Sequence, residues 1–472
     1  MSYSRSCTLF ALLCALTLAS PGVEAGGTTD PAVIKALAAK AYVWGLGPQF
    51  IEQSSKYNTI IGAPFNSLKY GFEPAAWNTD ATNAGDASVV YVSGFIDFDR
   101  NPELVLTVPP SRVSSSSGNQ YYVAAYYDAY ANTIGSIGTR TTPSDAPTSY
   151  LLVGPNSPYA NTATANIGGY EYPVVASDTT VNFLLIRILT NTLIDPPDST
   201  SVPNVVTGIV QKFALNSLPE FESADHQPVY PSSFVLPPPT SQQMLEAAPF
   251  KNKPTEAVQF FNQLGNAVAT NPIPSRDTGL SGTRVCELPA WIVPQYGAPI
   301  IYRVPSYGQQ QIFDSFAPLG LTAEGFRIPR GWGQAQLQAL QEGYCTGQQL
   351  LRKFAGQTTS GPLPESDCAG QQIPSEFAGN TTSDANTWTI VNDVIGTYPN
   401  NALGYLFRSL IVLEGGVANI PLDAVYPTLG GLNGDNTYKL TFTRPSSVDG
   451  AFPVEGIYPP IVGDRVGKLK GF

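Results

Sequence analysis

The chain has 472 residues, of which 43% are hydrophobic and 13% are charged, and its formal net charge is −11. This composition excludes a disordered chain, which would carry few apolar and many charged residues, and the length favours two or three domains. The acidic balance argues against nucleic acid and anionic membranes as partners, because both attract basic surfaces.

The first 25 residues are typical of a secretory signal peptide. Arg5 precedes an apolar run at residues 7–19, and Val23 and Ala25 occupy positions where small residues favour cleavage. The run is too short to span a bilayer comfortably. We expect a secreted or periplasmic protein that leaves the membrane after signal removal; an uncleaved anchor is the alternative.

The next elements are a helix and a series of strands. Asp30 and Pro31 form a helix start, and apolar residues at helical spacing follow for about four turns, which predicts an end near Gly45 and Gly47. From residue 88 the apolar residues alternate with a period of two. Short strands at this density are typical of a β-sandwich or a jelly roll. Strands are predicted at residues 88–99, 103–109, 120–130, 149–155 and 179–189.

Helical spacing returns in the middle and near the end of the chain. Helices are predicted at residues 202–215, 255–268, 334–354 and 401–413, and a strand at 436–443. The predicted fold class is mainly β with helical decoration (α+β), with two β-sandwich or jelly-roll-like domains joined by a partly helical middle region. The expected boundaries are an N-terminal domain at residues 26–200, the middle region at 201–355, a polar linker at 356–384 and a C-terminal domain at 385–472.

The reactive side chains exclude several chemistries. His226 is the only histidine, so metal sites built from histidine clusters are excluded, and no phosphate loop or dinucleotide fingerprint is complete. We expect no metal and no cofactor. Three cysteines remain after signal removal, and the pair with the shorter loop, Cys345 and Cys368, is the expected disulfide. Asn380 is a glycosylation site if the source is eukaryotic.

One tyrosine-rich stretch holds most of the candidate site residues. Alternation along a strand through residues 122–132 would place on one face Tyr122, Tyr126, Asp128, Tyr130 and Asn132. The earlier strand offers a similar face with Tyr91, Ser93, Phe95 and Asp97. If the two strands are neighbours, Asp97 and Asp128 converge with Arg140, which makes these three the catalytic candidates. The candidates for ligand binding are Tyr91, Tyr126 and Asn132.

These residue types suit a polar, ring-bearing partner. Tyrosine faces stack on sugar rings, while carboxylates and amides form hydrogen bonds with hydroxyl groups. The first hypothesis is a binding protein for a polar small molecule or glycan. The alternative is a metal-independent enzyme, such as a glycan hydrolase, that uses paired carboxylates and tyrosines. A purely structural role, in which Asp128 caps a turn and pairs with Arg140 between loops, is also open.

The same stretch carries a resemblance to a known family. Residues 121–142, followed by the sequence LLVGP at residues 151–155, resemble the signature of the domain of unknown function 1254. The resemblance to its usual companion, the domain of unknown function 1214, lies in residues 398–410, 423–427 and 432–442. It implies two β-sandwich or jelly-roll domains with helical decoration in an exported protein, and it implies no catalytic residues. The C-terminal part ends earlier than is usual in that family.

Overall fold

The structure is a computed structural model, and it describes residues 27–73, 89–110, 121–142, 146–189, 204–274, 309–354, 396, 398 and 402–419. Several predicted features lie outside these residues, namely the signal peptide, the linker, the strand at 436–443, Cys368 and Asn380. The C-terminal domain is described only in part, so its jelly roll stays a prediction.

The described residues form eight α-helices and twelve strands. The helices are α1 Pro31–Ile61, α2 Asn204–Val210, α3 Leu218–Ser223, α4 Ser241–Lys251, α5 Ala257–Thr270, α6 Gln309–Phe316, α7 Gln334–Phe354 and α8 Ala402–Gly415. The strands are β1 Lys69–Tyr70, β2 Val89–Asp97, β3 Glu103–Val108, β4 Tyr122–Tyr127, β5 Thr133–Gly138, β6 Thr148–Val153, β7 Thr164–Ile167, β8 Tyr170–Ala176, β9 Val181–Leu189, β10 Ala214–Ser217, β11 Leu321–Thr322 and β12 Gly325–Phe326. A mixed α/β class is confirmed, with a larger helical share than the sequence predicted.

Helix α1 begins where predicted but is much longer, at 31 residues. Asp30 caps it by accepting a hydrogen bond from the backbone N–H of Ala32 at 2.9 Å. The predicted end at Gly45 and Gly47 was wrong, because both glycines lie inside the helix where neighbouring elements leave no room for a side chain. A Cβ at Gly47 would lie 2.7 Å from the carbonyl oxygen of Tyr130. These glycines therefore allow close packing instead of ending the helix.

The strands β1 to β10 form two five-stranded sheets. The first has the order β1-β2-β9-β4-β5 and is antiparallel throughout. The second has the order β10-β3-β6-β8-β7, in which only β6 and β8 are parallel. Neither sheet closes into a barrel. The predicted strands correspond to β2, β3, β4, β6 and β9, with ends that shift by at most three residues.

Three hydrophobic clusters lie between the packed helices and sheets. In the first, helices α1, α5 and α7 pack on one face of the first sheet, where Tyr127 contributes. The two sheets share the second cluster, which includes Val92, Leu106 and Ile186. The third covers the outer face of the second sheet and includes Leu151. Both faces of β4 are therefore buried, and its end meets the helical layer.

Candidate functional site

The tyrosine-rich stretch is a hairpin and not one long strand. Strand β4 ends at Tyr127, and the Asp128 carboxylate closes the turn before β5. Its Oδ1 accepts hydrogen bonds from the backbone N–H groups of Tyr130 at 2.8 Å and Asn132 at 2.9 Å. Its Oδ2 accepts one from Asn132 Nδ2 at 2.8 Å. The prediction of a single strand through residue 132 was wrong, because aspartate favours turns by bonding to nearby backbone groups.

Asp128 is buried in a setting that opposes its ionisation. Its side chain has almost no exposed surface. Burial raises the pKa of Asp128 to about 6, although the hydrogen bonds from Asn132 and Tyr130 and the charge of Arg408 act in the opposite direction. The carboxyl group therefore changes its charge close to neutral pH.

Arg408 of α8 meets the same turn from the helical layer and is buried. Its Nη2 donates a hydrogen bond to the carbonyl oxygen of Trp44 at 2.5 Å. That carbonyl lacks its usual helical donor, because Pro48 lies four residues later in α1 and has no N–H. The guanidinium carbon also lies 5.9 Å from the ring centre of Tyr130 and 5.4 Å from that of Tyr405. Burial lowers the pKa of Arg408, and arginine nevertheless stays charged in proteins.

Four buried polar atoms around this turn have no hydrogen-bond partner among the described residues. They are Tyr126 Oη, Asn132 Oδ1, Thr133 Oγ1 and Arg408 Nε. Buried polar groups in native proteins nearly always have partners, including water or ligands. The four atoms include donors and an acceptor. We use the name Asp128–Arg408 cluster for Tyr126, Asp128, Tyr130, Asn132, Thr133 and Arg408.

The Asp128–Arg408 cluster surrounds the end of the first sheet. Thr133 is paired with Tyr127 across the hairpin, so the Thr133 side chain is on the face that packs against the helices. Tyr126 belongs to the cluster shared by the two sheets. The unpartnered atoms therefore lie on both sides of the sheet end.

A second group of buried polar residues lies beside this cluster. We call Ser177, Thr179, Asn182 and Asn271 the Asn182 network. Ser177 Oγ donates to Asn182 Oδ1 at 2.6 Å, and Asn271 Oδ1 accepts from the backbone N–H of Val181 at 2.7 Å. Thr179 Oγ1 accepts from the backbone N–H of Ala129 at 3.0 Å, which joins the network to the Asp128 turn. No buried side-chain atom of these four residues lacks a partner.

The structure does not bring the three catalytic candidates together. Strand β9 separates β2 from β4, so the strands of Asp97 and Asp128 are not neighbours. Asp97 instead accepts hydrogen bonds from Arg100 Nε at 2.9 Å and from the backbone N–H of Asp99 at 3.1 Å. Arg140 follows β5 at the opposite end of the hairpin from Asp128. The predicted convergence fails because β9, which comes later in the chain, inserts between the two strands.

The candidate residues for ligand binding also lie on different faces of the first sheet. Tyr91 is opposite Arg187 on β9, and the Arg187 guanidinium carbon lies 6.0 Å from the Tyr91 ring centre. Arg187 Nη1 donates to Asn419 Oδ1 at 2.6 Å, so the residues after α8 lie against this face. Tyr126 faces the other side of the sheet. Among the candidates for ligand binding, only Tyr126 and Asn132 belong to the Asp128–Arg408 cluster.

Arg408 is the functional candidate that the sequence reasoning missed. It is the only basic residue of α8, whose sequence is apolar on both sides of the Arg408–Ser409 pair, and this is a signal of a buried charge. Its proximity to Asp128 could not be inferred, because 280 residues separate the two positions in the chain. Pro48 inside α1 was a second signal, since it leaves one carbonyl without its helical donor.

The predictions of a disulfide, of no metal site and of no membrane association concern residues outside the cluster. Cys345 is buried and disulfide-bonded, and the pairing with Cys368 stays a prediction because that residue lies outside the described ranges. Within those ranges, no group of three His, Cys, Asp or Glu side chains is arranged to hold a metal ion. No described helix has both the length and the apolar character needed to cross a membrane.

The hairpin lies within the part of the chain that matches a known family model. Residues 65–216 match the family model described as protein of unknown function (DUF1254). This match confirms the resemblance of the N-terminal part, whereas the resemblance to the companion domain stays a prediction. Every residue of the Asp128–Arg408 cluster except Arg408 lies within the matched segment. No curated protein matches the sequence.

Two solved structures are similar in part. The VPA0106 protein of Vibrio parahaemolyticus is 13% identical, with a TM-score of 0.41, over 82% of this chain and 68% of that chain. An uncharacterized protein of Burkholderia cenocepacia is 14% identical, with a TM-score of 0.22, over 56% of this chain and 58% of that chain.

Proposed function

We propose that this chain, whose residues 65–216 match the DUF1254 model, binds a small polar molecule at the Asp128–Arg408 cluster. The observation that carries the proposal is that four buried polar atoms around one turn have no hydrogen-bond partner within the described ranges. Each such atom costs about 1–3 kcal/mol if nothing bonds to it. A ligand with hydroxyl or similar groups bonds to both donors and acceptors, and a small one would contact the atoms on one side of the sheet end.

The burial of the cluster favours a small ligand over an extended glycan. Tyr126, Asp128 and Thr133 are each at most 1% exposed. A long sugar chain needs an open groove lined by exposed aromatic faces, and the side chains of this cluster are buried. Of the predicted partners, the polar small molecule is therefore the one that we retain.

The proposal is tested by thermal unfolding in the presence of glycerol, small polyols and monosaccharides. A ligand that binds the native state raises the unfolding temperature. We expect this increase to be lost in Thr133→Val or in Tyr126→Phe, depending on the side of the sheet end that the ligand contacts. Tyr122→Phe is the matched control, because the Tyr122 hydroxyl donates to the carbonyl oxygen of Pro109 and is outside the cluster. Equal responses in all four proteins would refute the proposal.

A metal-independent enzyme is the second candidate, and the pKa of Asp128 favours it. A carboxyl group with a pKa of about 6 exchanges protons readily near neutral pH. Asp97 is two strands away, so the second carboxylate of a glycosidase pair would have to come from elsewhere. Turnover of a polar substrate that is lost in Asp128→Asn, with the fold retained, would establish this candidate over simple binding.

The proposed setting is an exported protein. The support is the signal-like pattern of the first 25 residues, and the intact mass of the mature chain is the measurement that tests it. In the same proposal the two sheets that share a core are a β-sandwich, the N-terminal domain extends to about residue 200, and the C-terminal domain is of the 1214 type.

A further inference from the structure

Among the residues that the structure describes, no carboxylate forms an ion pair with the buried guanidinium of Arg408. Arg408 is 3% exposed, and none of the ion pairs between described residues includes it. Its Nη2 donates to a neutral carbonyl, and its Nε has no hydrogen-bond partner in the described part of the chain. A buried charge is costly unless a group of opposite charge or several hydrogen bonds compensate it.

The groups around Arg408 compensate this charge only in part. The rings of Tyr130 and Tyr405 attract the cation through their faces, and Tyr398 and Asp128 lie within electrostatic range. Asp128 is the one carboxylate of this set. Its two oxygens already accept three hydrogen bonds within its own turn, so it stabilises the cation from a distance and not by direct contact.

We propose that the ligand of the Asp128–Arg408 cluster carries a carboxylate, which accepts a hydrogen bond from Arg408 Nε and neutralises the guanidinium. This inference rests on the proposed function and names its ligand class. Arginine is well suited to the task, because its N–H groups match the geometry of a carboxylate. Thr133 Oγ1 and Asn132 Oδ1 can then form hydrogen bonds with the other polar groups of the ligand.

The same geometry makes the binding of a carboxylate depend on pH. Asp128 and the ligand are negative charges that both interact with Arg408, so they oppose each other when Asp128 is ionised. The groups facing Asp128 are Tyr126, Tyr130, Asn132 and Arg408, of which only Arg408 is charged near neutral pH. Affinity therefore falls as pH rises through the titration of Asp128, by about fivefold or more for a typical coupling between sites.

The test uses formate and its neutral analogue formamide as probes on the full chain. Binding is followed by thermal unfolding and by ligand-observed NMR between pH 5 and pH 7 at constant ionic strength. We expect formate, but not formamide, to bind, and to bind more tightly at pH 5. Arg408→Lys, which keeps the charge and removes Nε, should lose most of this binding.

Asp128→Asn keeps the inference testable even if Arg408→Lys does not fold. In this variant, formate affinity at pH 7 should rise to its value at pH 5 and lose its dependence on pH. Equal binding of formate and formamide, or the same pH dependence in Asp128→Asn, would overturn the inference. If polyols still raise the unfolding temperature of the wild type and not of Thr133→Val, the proposed function stands without the carboxylate. If neither probe class has an effect, both proposals fall.

Discussion

Two buried polar regions lie side by side at the end of the first sheet, and they differ in one respect. In the Asn182 network every buried side-chain atom has a partner within the chain. In the Asp128–Arg408 cluster four atoms have none among the described residues. The backbone N–H of Ala129 donates to Thr179 Oγ1, so the two regions are in direct contact.

This difference separates a structural role from a binding role. A polar network with all its hydrogen bonds formed stabilises the loops that it joins and has nothing left to offer a ligand. A buried cluster with unsatisfied atoms costs stability, and that cost is offset when a water or ligand bonds to them. The predictions below test whether the two regions behave in these opposite ways.

The largest effect is expected in the satisfied network. Asn182→Ala removes the acceptor of Ser177 Oγ and the donor to the carbonyl oxygen of Thr179. We expect the free energy of unfolding to fall by roughly 3–4 kcal/mol, because two buried groups lose partners and a small cavity forms. Denaturant unfolding measures this loss. Asn166→Ala, on the exposed face of β7, is the matched control and should change stability by less than about 0.5 kcal/mol.

The second effect is a dependence of stability on pH that comes from Asp128. Its folded-state pKa is raised from 3.8 to about 6, so its stabilising contribution is complete below the unfolded value and is lost as pH rises through about 6. Between pH 4 and pH 7 the free energy of unfolding of the wild type should fall relative to Asp128→Asn by roughly 2 kcal/mol, which is most of the effect of a shift of about two pKa units. A constant difference between the two proteins across this range would contradict the assignment.

A third effect tests how closely α1 approaches the cluster. In Gly47→Ala the new methyl group would lie 2.7 Å from the carbonyl oxygen of Tyr130 and 3.1 Å from Arg408 Nε. We expect a loss of about 2 kcal/mol, because the backbone must move to make room. Gly208→Ala in α2 is the control, since a Cβ there meets nothing within 4 Å, and it should leave stability unchanged or raise it by up to about 1 kcal/mol.

The smallest effect has the opposite sign. Tyr126→Phe removes a fully buried hydroxyl that has no partner among the described residues, so we expect the ligand-free protein to gain about 1 kcal/mol of stability. Tyr122→Phe, at a buried position of the same strand, removes a hydroxyl that donates to Pro109 at 2.5 Å and should lose about 1 kcal/mol. If both variants lose stability equally, Tyr126 bonds to an ordered water and the contrast between the two regions weakens.

Local patterns predicted many of the elements. Alternation located the strands that became β2 and β9, helical spacing located α7 with its observed ends, and Asp30 marked the start of α1. These features depend on residues that are close in sequence, so they can be predicted from the amino-acid sequence. The strands β5, β7 and β8 were not predicted: β5 contains two glycines, β7 has only four residues, and β8 contains a proline.

The candidate site was predicted only in part. Asp128, Asn132 and Tyr126 were named from the sequence, and all three belong to the Asp128–Arg408 cluster. The predicted partners Asp97, Arg140 and Tyr91 lie elsewhere, because β9 inserts between β2 and β4 and because Tyr91 and Tyr126 face opposite sides of the first sheet.

The sequence by itself determined the positions of β2, β3, β4, β6 and β9 and the start of α1 at Asp30, and it offered the turn role of Asp128 as one of several alternatives. Only the tertiary structure decided which polar groups meet there. Arg408 reaches the Asp128 turn because Gly47 lets α1 pack closely and Pro48 leaves the Trp44 carbonyl open to its guanidinium. These residues are far apart in the chain, and their contact depends on the packing of whole elements, which no local pattern encodes.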